Sequence, residues 1–416
     1  MLIEFSVTNF RSIREKQTFS MVAAPRLRKT ENTFVPETTG EKLPRLLKVA
    51  AIYGPNASGK SNLTTAFAAL SRIVAGKLID DNDRASPVAP FRFDPALSDA
   101  PSEFEIHFIA NKTRYEYLLA ATQDRIVHEK LIAYPKGKES LLFERRHQPS
   151  GDEYIFGLEF EQEDLLRNAW KKLTGSHLTF LKQVAENSNE EQTFMATAYW
   201  YLRWEIMSIG TDLKGFAKSS RELAQKNPSY ATDLSIFLQQ IDVPVTKIQF
   251  ETDRSEGNNL FSEEINAAPK IKKTKLTHST ALGEAEFDYS EESEGTKALI
   301  GFWLPWGILG DAETGLRTLI VDELDSSLHP MIVAELVARH IANDTSAQLI
   351  FTTHDTHLMD TKLLRRDQIW VTERDRNGAT KLRSIHDFEG RESEDIEKRY
   401  YEGRYRGLPF IRNRRA

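Results

Sequence analysis

The chain has 416 residues, 55 Lys and Arg against 61 Asp and Glu, a formal charge of −6 and no cysteine. The absence of cysteine excludes disulfides and thiolate zinc sites, and the acidic balance gives no prior for nucleic-acid binding, although Arg412, Arg414 and Arg415 form a small basic cluster. No apolar run approaches a membrane span and Met1–Val7 reads as a charged strand, not a signal peptide, so a soluble cytoplasmic protein without membrane contact is expected.

After that first strand the next strong signal is an apolar β-type run, Leu47 to Tyr53, followed at once by Gly54-Pro55-Asn56-Ala57-Ser58-Gly59-Lys60-Ser61. The loop fits G-x-x-x-x-G-K-[ST]: its glycines allow a tight turn in which several N–H groups face one anion, and a helix starting near Lys60 adds its positive dipole end. Lys60 would then reach the β- and γ-phosphates of a nucleotide and Ser61 would ligate Mg²⁺, with Asn56, Ser58, Gly59 and Asn62 around them. Further on, Phe104, Ile106 and Phe108 alternate with polar neighbours, and Tyr115, Tyr117 and Leu119 do so after Asn111-Lys112-Thr113, which predicts an antiparallel hairpin in a β-rich subdomain.

From about Glu163 to Gln240 the pattern becomes helical, and the aromatics of Tyr199-Trp200-Tyr201-Leu202-Arg203-Trp204 read as helix-packing core. Thr252 to Lys275 is polar, with lysines at 270, 272, 273 and 275, and reads as a loop or hairpin tip. The chain then returns to α/β alternation: a helix near Glu294, a buried strand at Leu316–Val321, a helix after His329-Pro330 and a strand at Gln348–Phe351. Three segments are expected: an N-terminal lobe with the phosphate loop and an antiparallel β subdomain over 1–160, an inserted helical region with a polar loop over 161–285, and a C-terminal lobe over 286–416.

Leu319-Ile320-Val321-Asp322-Glu323 is an apolar strand ending in two carboxylates. The first can hold Mg²⁺ through its water shell and the second can polarise a water that attacks the γ-phosphate, which assigns those roles to Asp322 and Glu323.

The phosphate loop, Ser293-Glu294-Gly295-Thr296-Lys297, Asp322 to Pro330 and Thr352-Thr353-His354-Asp355 together resemble an ABC-type ATPase of the RecF/SMC-like branch, and Phe5 to Ser12 is similar to the first strand of that branch. The resemblance implies an α/β fold: a P-loop NTPase head with an antiparallel β subdomain, a mostly parallel core sheet and an inserted helical region. It implies ATP and Mg²⁺ as cofactors and a head-to-tail homodimer, or a higher even-numbered oligomer, in which Ser293 and Gly295 form the signature that meets the γ-phosphate in trans. Asp325 and Ser326 fall in its D-loop, His354 matches its switch histidine, Arg11 takes a phosphate or adenine-side contact, and Gln183 is assigned to its glutamine loop. Within the branch the chain is similar to the RloA- and AbiL-like ATPases and PARIS AriA of phage defence, whose ending Tyr400 to Phe410 resembles. That similarity implies a separately encoded effector such as a Toprim-like nuclease and a phage-encoded trigger. Two other readings stay open: a repair-type ATPase clamping DNA through the lysines near 270–275 and the arginines of the tail, and a nucleotide-sensing scaffold with little turnover.

Overall fold

The computed structural model describes residues 1–78, 86–160, 164–188, 193–211, 213–252, 271–311, 315–326, 328–392 and 394–408. They divide into one unit made of Met1–Gly210, Leu309–Leu324 and Ala334–Ala416, and another made of Thr211–Ile308 with Asp325–Val333. In chain order the first unit begins with β1 (Leu2–Thr8), β2 (Gln17–Ser20), β3 (Thr33–Phe34), β4 (Leu46–Leu47), β5 (Val49–Tyr53) and α1 (Lys60–Val74). It continues with β6 (Ser102–Ala110), β7 (Thr113–Ala121), β8 (Ile126–Ala133), β9 (Ser140–Gln148) and β10 (Gly151–Phe156), then α2 (Asp164–Leu173), α3 (Phe180–Asn187), α4 (Phe194–Trp200) and β11 (Ile206–Ile209). The second unit carries α5 (Lys214–Lys226), α6 (Pro228–Gln240), β12 (Val245–Thr252), β13 (Ile271–Thr280), β14 (Gly283–Asp288) and α7 (Glu294–Ile308). The chain ends through β15 (Thr318–Val321), α8 (Pro330–Ala342), β16 (Gln348–Thr352), β17 (Ile369–Arg374), β18 (Thr380–Ser384) and α9 (Ile396–Tyr401).

The first unit holds two large sheets. One is antiparallel throughout, in the order β10-β9-β8-β7-β6-β1-β2, and the other runs β11-β15-β16-β5-β17-β18, parallel as far as β17 and closed by antiparallel β18. This is the expected α/β architecture, with an antiparallel subdomain beside a mostly parallel core. β5 and β15 are near-continuous apolar runs buried at every residue, because a parallel sheet is covered on both faces. In the β6–β7 hairpin Phe108 stands opposite Tyr115, and Asn111 and Lys112 at the tip both have φ in the left-handed region, as a two-residue turn requires. The ring of Phe5 on β1 stacks 3.9 Å from that of Phe67 on α1, joining the antiparallel sheet to the helix that follows the phosphate loop.

Two stretches differ from the sequence reading. The run expected to be helical to Gln240 is interrupted: after α4 a π-helical turn, Tyr201–Glu205, leads into β11, which becomes the edge of the parallel sheet. Ile206-Met207-Ser208-Ile209 is too short an apolar run for periodicity to tell strand from helix, so pairing with β15 decides it. In the aromatic cluster Tyr199, Tyr201 and Leu202 are buried, as expected of core, and Tyr201 stacks on Phe108 at 4.3 Å, whereas Trp200 and Trp204 are exposed. The polar stretch Thr252–Lys275 has strands at both ends. Lys272, Lys273 and Lys275 lie on β13, with Lys275 paired to Glu251 at 2.8 Å and Lys273 to Asp288 at 3.1 Å. Those cross-strand charges disguise the strand as loop, since its buried residues are Thr274, Leu276 and Thr277. Lys270 lies outside the described residues.

A fully buried carboxylate fastens α3 to the antiparallel sheet. Glu129 on β8 accepts from the N–H of Phe180 at 2.7 Å, that of Leu181 at 3.0 Å and the hydroxyl of Tyr117 at 3.0 Å, so it satisfies the first turn of α3 and neutralises its positive end. Glu129→Ala should lower stability by about 2–4 kcal/mol in chemical denaturation, because it orphans two buried N–H groups and a hydroxyl. An unchanged midpoint would show that water replaces the carboxylate without cost. Acid sensitivity is expected from a buried histidine. His340 on α8 is buried, which pushes its pKa down to about 4 from an ordinary 6.5. Its contribution to stability is present above 6.5 and is lost as pH falls toward 4, because the unfolded chain then binds a proton that the folded chain refuses. His340→Leu should flatten that part of the pH–stability curve measured by thermal unfolding.

Candidate nucleotide-binding site

The phosphate loop joins β5 to α1, and three of its residues have positive φ: Gly54 at 151°, Ala57 at 61° and Gly59 at 106°. At both glycines a side chain is excluded by packing as well as by backbone conformation. A Cβ on Gly54 would lie 2.6 Å from the carbonyl oxygen of Thr372, and one on Gly59 would run into the hydroxyl of Thr380 and lie 2.9 Å from that of Ser12. These neighbours form a hydroxyl brace under the loop. Ser58 Oγ is 2.6 Å from Thr372 Oγ1, Thr372 Oγ1 donates to the Tyr53 carbonyl at 3.1 Å, and Thr380 Oγ1 donates to the Ser58 carbonyl at 2.8 Å. Ser12 Oγ, 2.7 Å from Thr380 Oγ1, accepts from Asn62 Nδ2 at 2.6 Å.

The predicted nucleotide-binding residues therefore divide by what their side chains do here. Ser58 is buried and turned into the brace, and Asn62 reaches back to Ser12. Lys60, buried at the start of α1, donates from Nζ to the Gly54 carbonyl at 2.8 Å and the Pro55 carbonyl at 3.4 Å, which holds its ammonium at the loop. Asn56 and Ser61 are exposed, Ser61 in the first turn of α1. Arg11 is also exposed, next to Ser12 in the turn after β1, so the brace brings it beside the start of α1.

At the end of β15, Asp322 and Glu323 are held by one side chain of the neighbouring strand. The buried Thr352 hydroxyl donates to Asp322 Oδ1 at 2.7 Å and accepts from the Glu323 N–H at 2.7 Å. Glu323 has φ of 51°, a left-handed conformation that costs a non-glycine residue about 1 kcal/mol, and it persists because the Thr352 carbonyl also takes the Leu324 N–H at 3.0 Å. The turn after β15 is thus bonded to both the hydroxyl and the carbonyl of a single threonine. Ser61 and Asp322 offer one hydroxyl and one carboxylate, a donor set that suits Mg²⁺, which keeps several waters and takes the rest of its shell from substrate phosphates. Among the described residues no cluster of three or more His, Cys, Asp or Glu is arranged to hold a metal by protein ligands alone.

His354 follows β16 and is exposed on the wall of a cleft of about 590 Å³. Gly54 to Ser58 form one side of this cleft and Thr353, His354 and Thr356 another, with Glu373, Arg374, Tyr400, Tyr401 and Arg406 completing it. Gln183 is placed elsewhere. It lies one turn into α3, whose cap Thr179 reaches the Val74 carbonyl at the far end of α1, roughly 20 Å of helix from Lys60. In the second unit Ser293 caps α7, its Oγ accepting from the Thr296 N–H at 3.0 Å, and Gly295 follows in the first turn. Asp325 and Ser326 belong to that unit too, directly after Leu324 on the chain. Sequence reasoning met Ser12 and Thr352 only inside longer segments and gave them no role, and it missed Thr372 and Thr380, single hydroxyls with no motif of their own. It noticed Tyr400 to Arg406 only as an ending and gave it no place at the cleft; Pro409 and Phe410 of that ending, like Arg412, Arg414 and Arg415, lie outside the described residues.

The strain at Glu323 yields a clear expectation. Glu323→Gly should leave thermal stability equal to or up to about 1 kcal/mol above the parent, since glycine adopts positive φ freely. Thr352→Val should lower it by about 1–3 kcal/mol by leaving the Glu323 N–H without its acceptor. The reverse order of midpoints would contradict the geometry.

No curated protein matches the chain. Among solved structures it is similar to the SMC head domain from Thermotoga maritima, 14% identical with a TM-score of 0.41 over 92% of this chain and 98% of that one. It is also similar to an Smc head bound to the C-winged helix domain of ScpA, 12% identical with a TM-score of 0.44 over 92% and 97% of the two chains. A third is an Smc head domain bound to the C-terminal domain of ScpA derived from Pyrococcus furiosus, 13% identical with a TM-score of 0.41 over 93% and 97%. Residues 49–360 match the family model described as AAA domain, putative AbiEii toxin, Type IV TA system, a span that takes in the phosphate loop, Asp322, Glu323 and His354. With its braced phosphate loop lying inside a match of that extent, the chain belongs to this AAA-domain family and is a P-loop NTPase.

Proposed function

We propose that the chain is an ATP-hydrolysing switch in which two copies close head-to-tail on two Mg-ATP and thereby control a separately encoded effector. The observation that carries the reading is the Thr352-locked turn: a carboxylate pair held in a strained conformation, two strands from the strand that feeds the phosphate loop. A turn of this kind has little purpose as mere strand termination, because Gly would make it without strain.

The loop N–H groups and the start of α1 bind the phosphates, and Lys60 exchanges the neutral carbonyls of Gly54 and Pro55 for anionic oxygens. Ser61 and Asp322 would hold Mg²⁺, Asp322 through its water shell, and the ion would supply charge neutralisation for the phosphates. Glu323 takes the proton of the attacking water, and His354 orients that water and the γ-phosphate from the adjoining strand end. Asn56 and Arg11 add contacts on either side of the loop, while Ser58, Gly59 and Asn62 keep its shape. Across the dimer, Ser293 and Gly295 would complete the partner's γ-phosphate site, and Asp325 and Ser326 would link the two sites. The family description names a putative toxin of a toxin–antitoxin system, which supports a role in bacterial defence; a Toprim-like nuclease and a phage-encoded trigger are the effector and signal that fit a chain used as a switch. The DNA-clamp reading draws less support, since Lys273 and Lys275 are already paired with acids. Among the described residues no helix is long and apolar enough to cross a membrane.

Lys60→Ala should abolish ATP binding, whereas Glu323→Gln should bind ATP like the parent and lose at least about a hundredfold in steady-state hydrolysis. With ATP and Mg²⁺ the Glu323→Gln protein should shift to a dimer in light scattering. Hydrolysis undiminished in Glu323→Gln would overturn the assignment of the base, and a monomer under saturating ATP would overturn the trans arrangement.

A further inference from the structure

The cleft beside the phosphate loop carries two guanidinium groups that the ATPase reading does not use. Arg374 ends β17 and Arg406 lies in the turn after α9. Both are exposed and line the cleft, and among the described residues neither side chain has a hydrogen bond or ion pair. Of the other charged groups there, Glu373 faces Arg383 at 3.7 Å, and His354 lines the same cleft.

The backbone around Arg406 is built to aim it. Tyr405 is buried with its ring 5.4 Å from that of Phe388, and Gly407 packs so tightly on Tyr400 that a Cβ there would lie 2.9 Å from the ring. The Tyr400 hydroxyl donates to the Gly407 carbonyl at 2.5 Å. Between these two anchors Arg406 takes φ of 61°, a left-handed conformation unfavourable for arginine, and is thrown outward. The same segment is tied to the turn after His354, because Thr356 Oγ1 donates to Glu397 at 2.6 Å and lies 3.0 Å from the Tyr401 hydroxyl.

Which part of a nucleotide this cleft would meet follows from its walls. It includes Gly54 to Ser58 together with His354, the residue set against the γ-phosphate above, whereas Arg11, Ser12 and Asn62 do not line it. We propose that Arg406 and Arg374 contact the terminal phosphate of a bound nucleoside triphosphate, and that the C-terminal turn thereby reads triphosphate against diphosphate. The inference rests on the nucleotide site proposed above. Two planar guanidinium groups in one cleft with a histidine suit a dianionic phosphate, and strain at Arg406 is what such a contact would sustain.

The test uses the full chain and compares binding of ATPγS with that of ADP. Arg406→Gly is the chosen variant because glycine keeps the left-handed turn, so its thermal midpoint should equal or exceed that of the parent. Arg406→Gly with Arg374→Ala should weaken ATPγS binding about tenfold while ADP binding stays within about twofold. Arg406→Lys should recover only part of the loss, since an ammonium cannot bind in a fork. Equal affinities in parent and variants, or a parallel fall for both nucleotides, would overturn the proposal. A parent that binds neither nucleotide would instead overturn the nucleotide site itself.

Discussion

The hydroxyl brace beneath the phosphate loop is the constraint on which the rest of the site depends. A loop with three positive φ values has few internal hydrogen bonds, so its shape must be imposed from outside. Thr372 and Thr380 impose it, one from each strand at the β17–β18 edge, and they sit where side chains on Gly54 and Gly59 would go. Glycine is thus required at both positions twice over, by conformation and by space. Ser12 extends the brace to the antiparallel sheet, so that both large sheets of the first unit bear on one loop.

A second device of the same kind governs the acidic turn. Thr352 stands one strand away from β15, and its hydroxyl donates to Asp322 and accepts from Glu323. The last residue of β16 therefore aligns the strand end of β15, while the chain just after β16 leads to His354. Parallel strands make this possible: their carboxyl ends gather at one edge of the sheet, and β5, β15, β16 and β17 deliver the phosphate loop, the carboxylates, the histidine and Arg374 to that edge. The strain at Glu323 and at Arg406 is the local cost of aiming charged groups from turns that would otherwise favour glycine.

The elements with strong local signals were legible. The run into Tyr53, the glycine spacing of 54–59 and the helix at Lys60 are all short-range facts, and the alternation of 104–119 with a turn at Asn111 is equally local. β11 was not legible, since four residues carry too little periodicity and its partner β15 lies more than a hundred residues away. β13 was hidden because its exposed lysines answer acids on neighbouring strands, a fact of register and not of composition. Gln183 shows the limit for lone residues: its helix is positioned by Glu129 of β8 and by the end of α1, contacts that no nearby sequence announces.

The sequence by itself determined the chemistry available: a glycine-hinged anion loop with its lysine, a strand ending in two carboxylates, and the absence of thiols. Those properties reside in consecutive residues, where covalent neighbours set backbone freedom and charge. Tertiary structure alone decided which hydroxyls brace the loop, which threonine locks Glu323, and that the segment from Tyr400 to Arg406 stands at the cleft. Each of these joins residues far apart in the chain, from about 30 positions for Thr352 and Asp322 to more than 300 for Thr372 and Ser58. Serine and threonine are common enough that only their final positions, fixed by burial of the sheets, distinguish a brace from a surface hydroxyl.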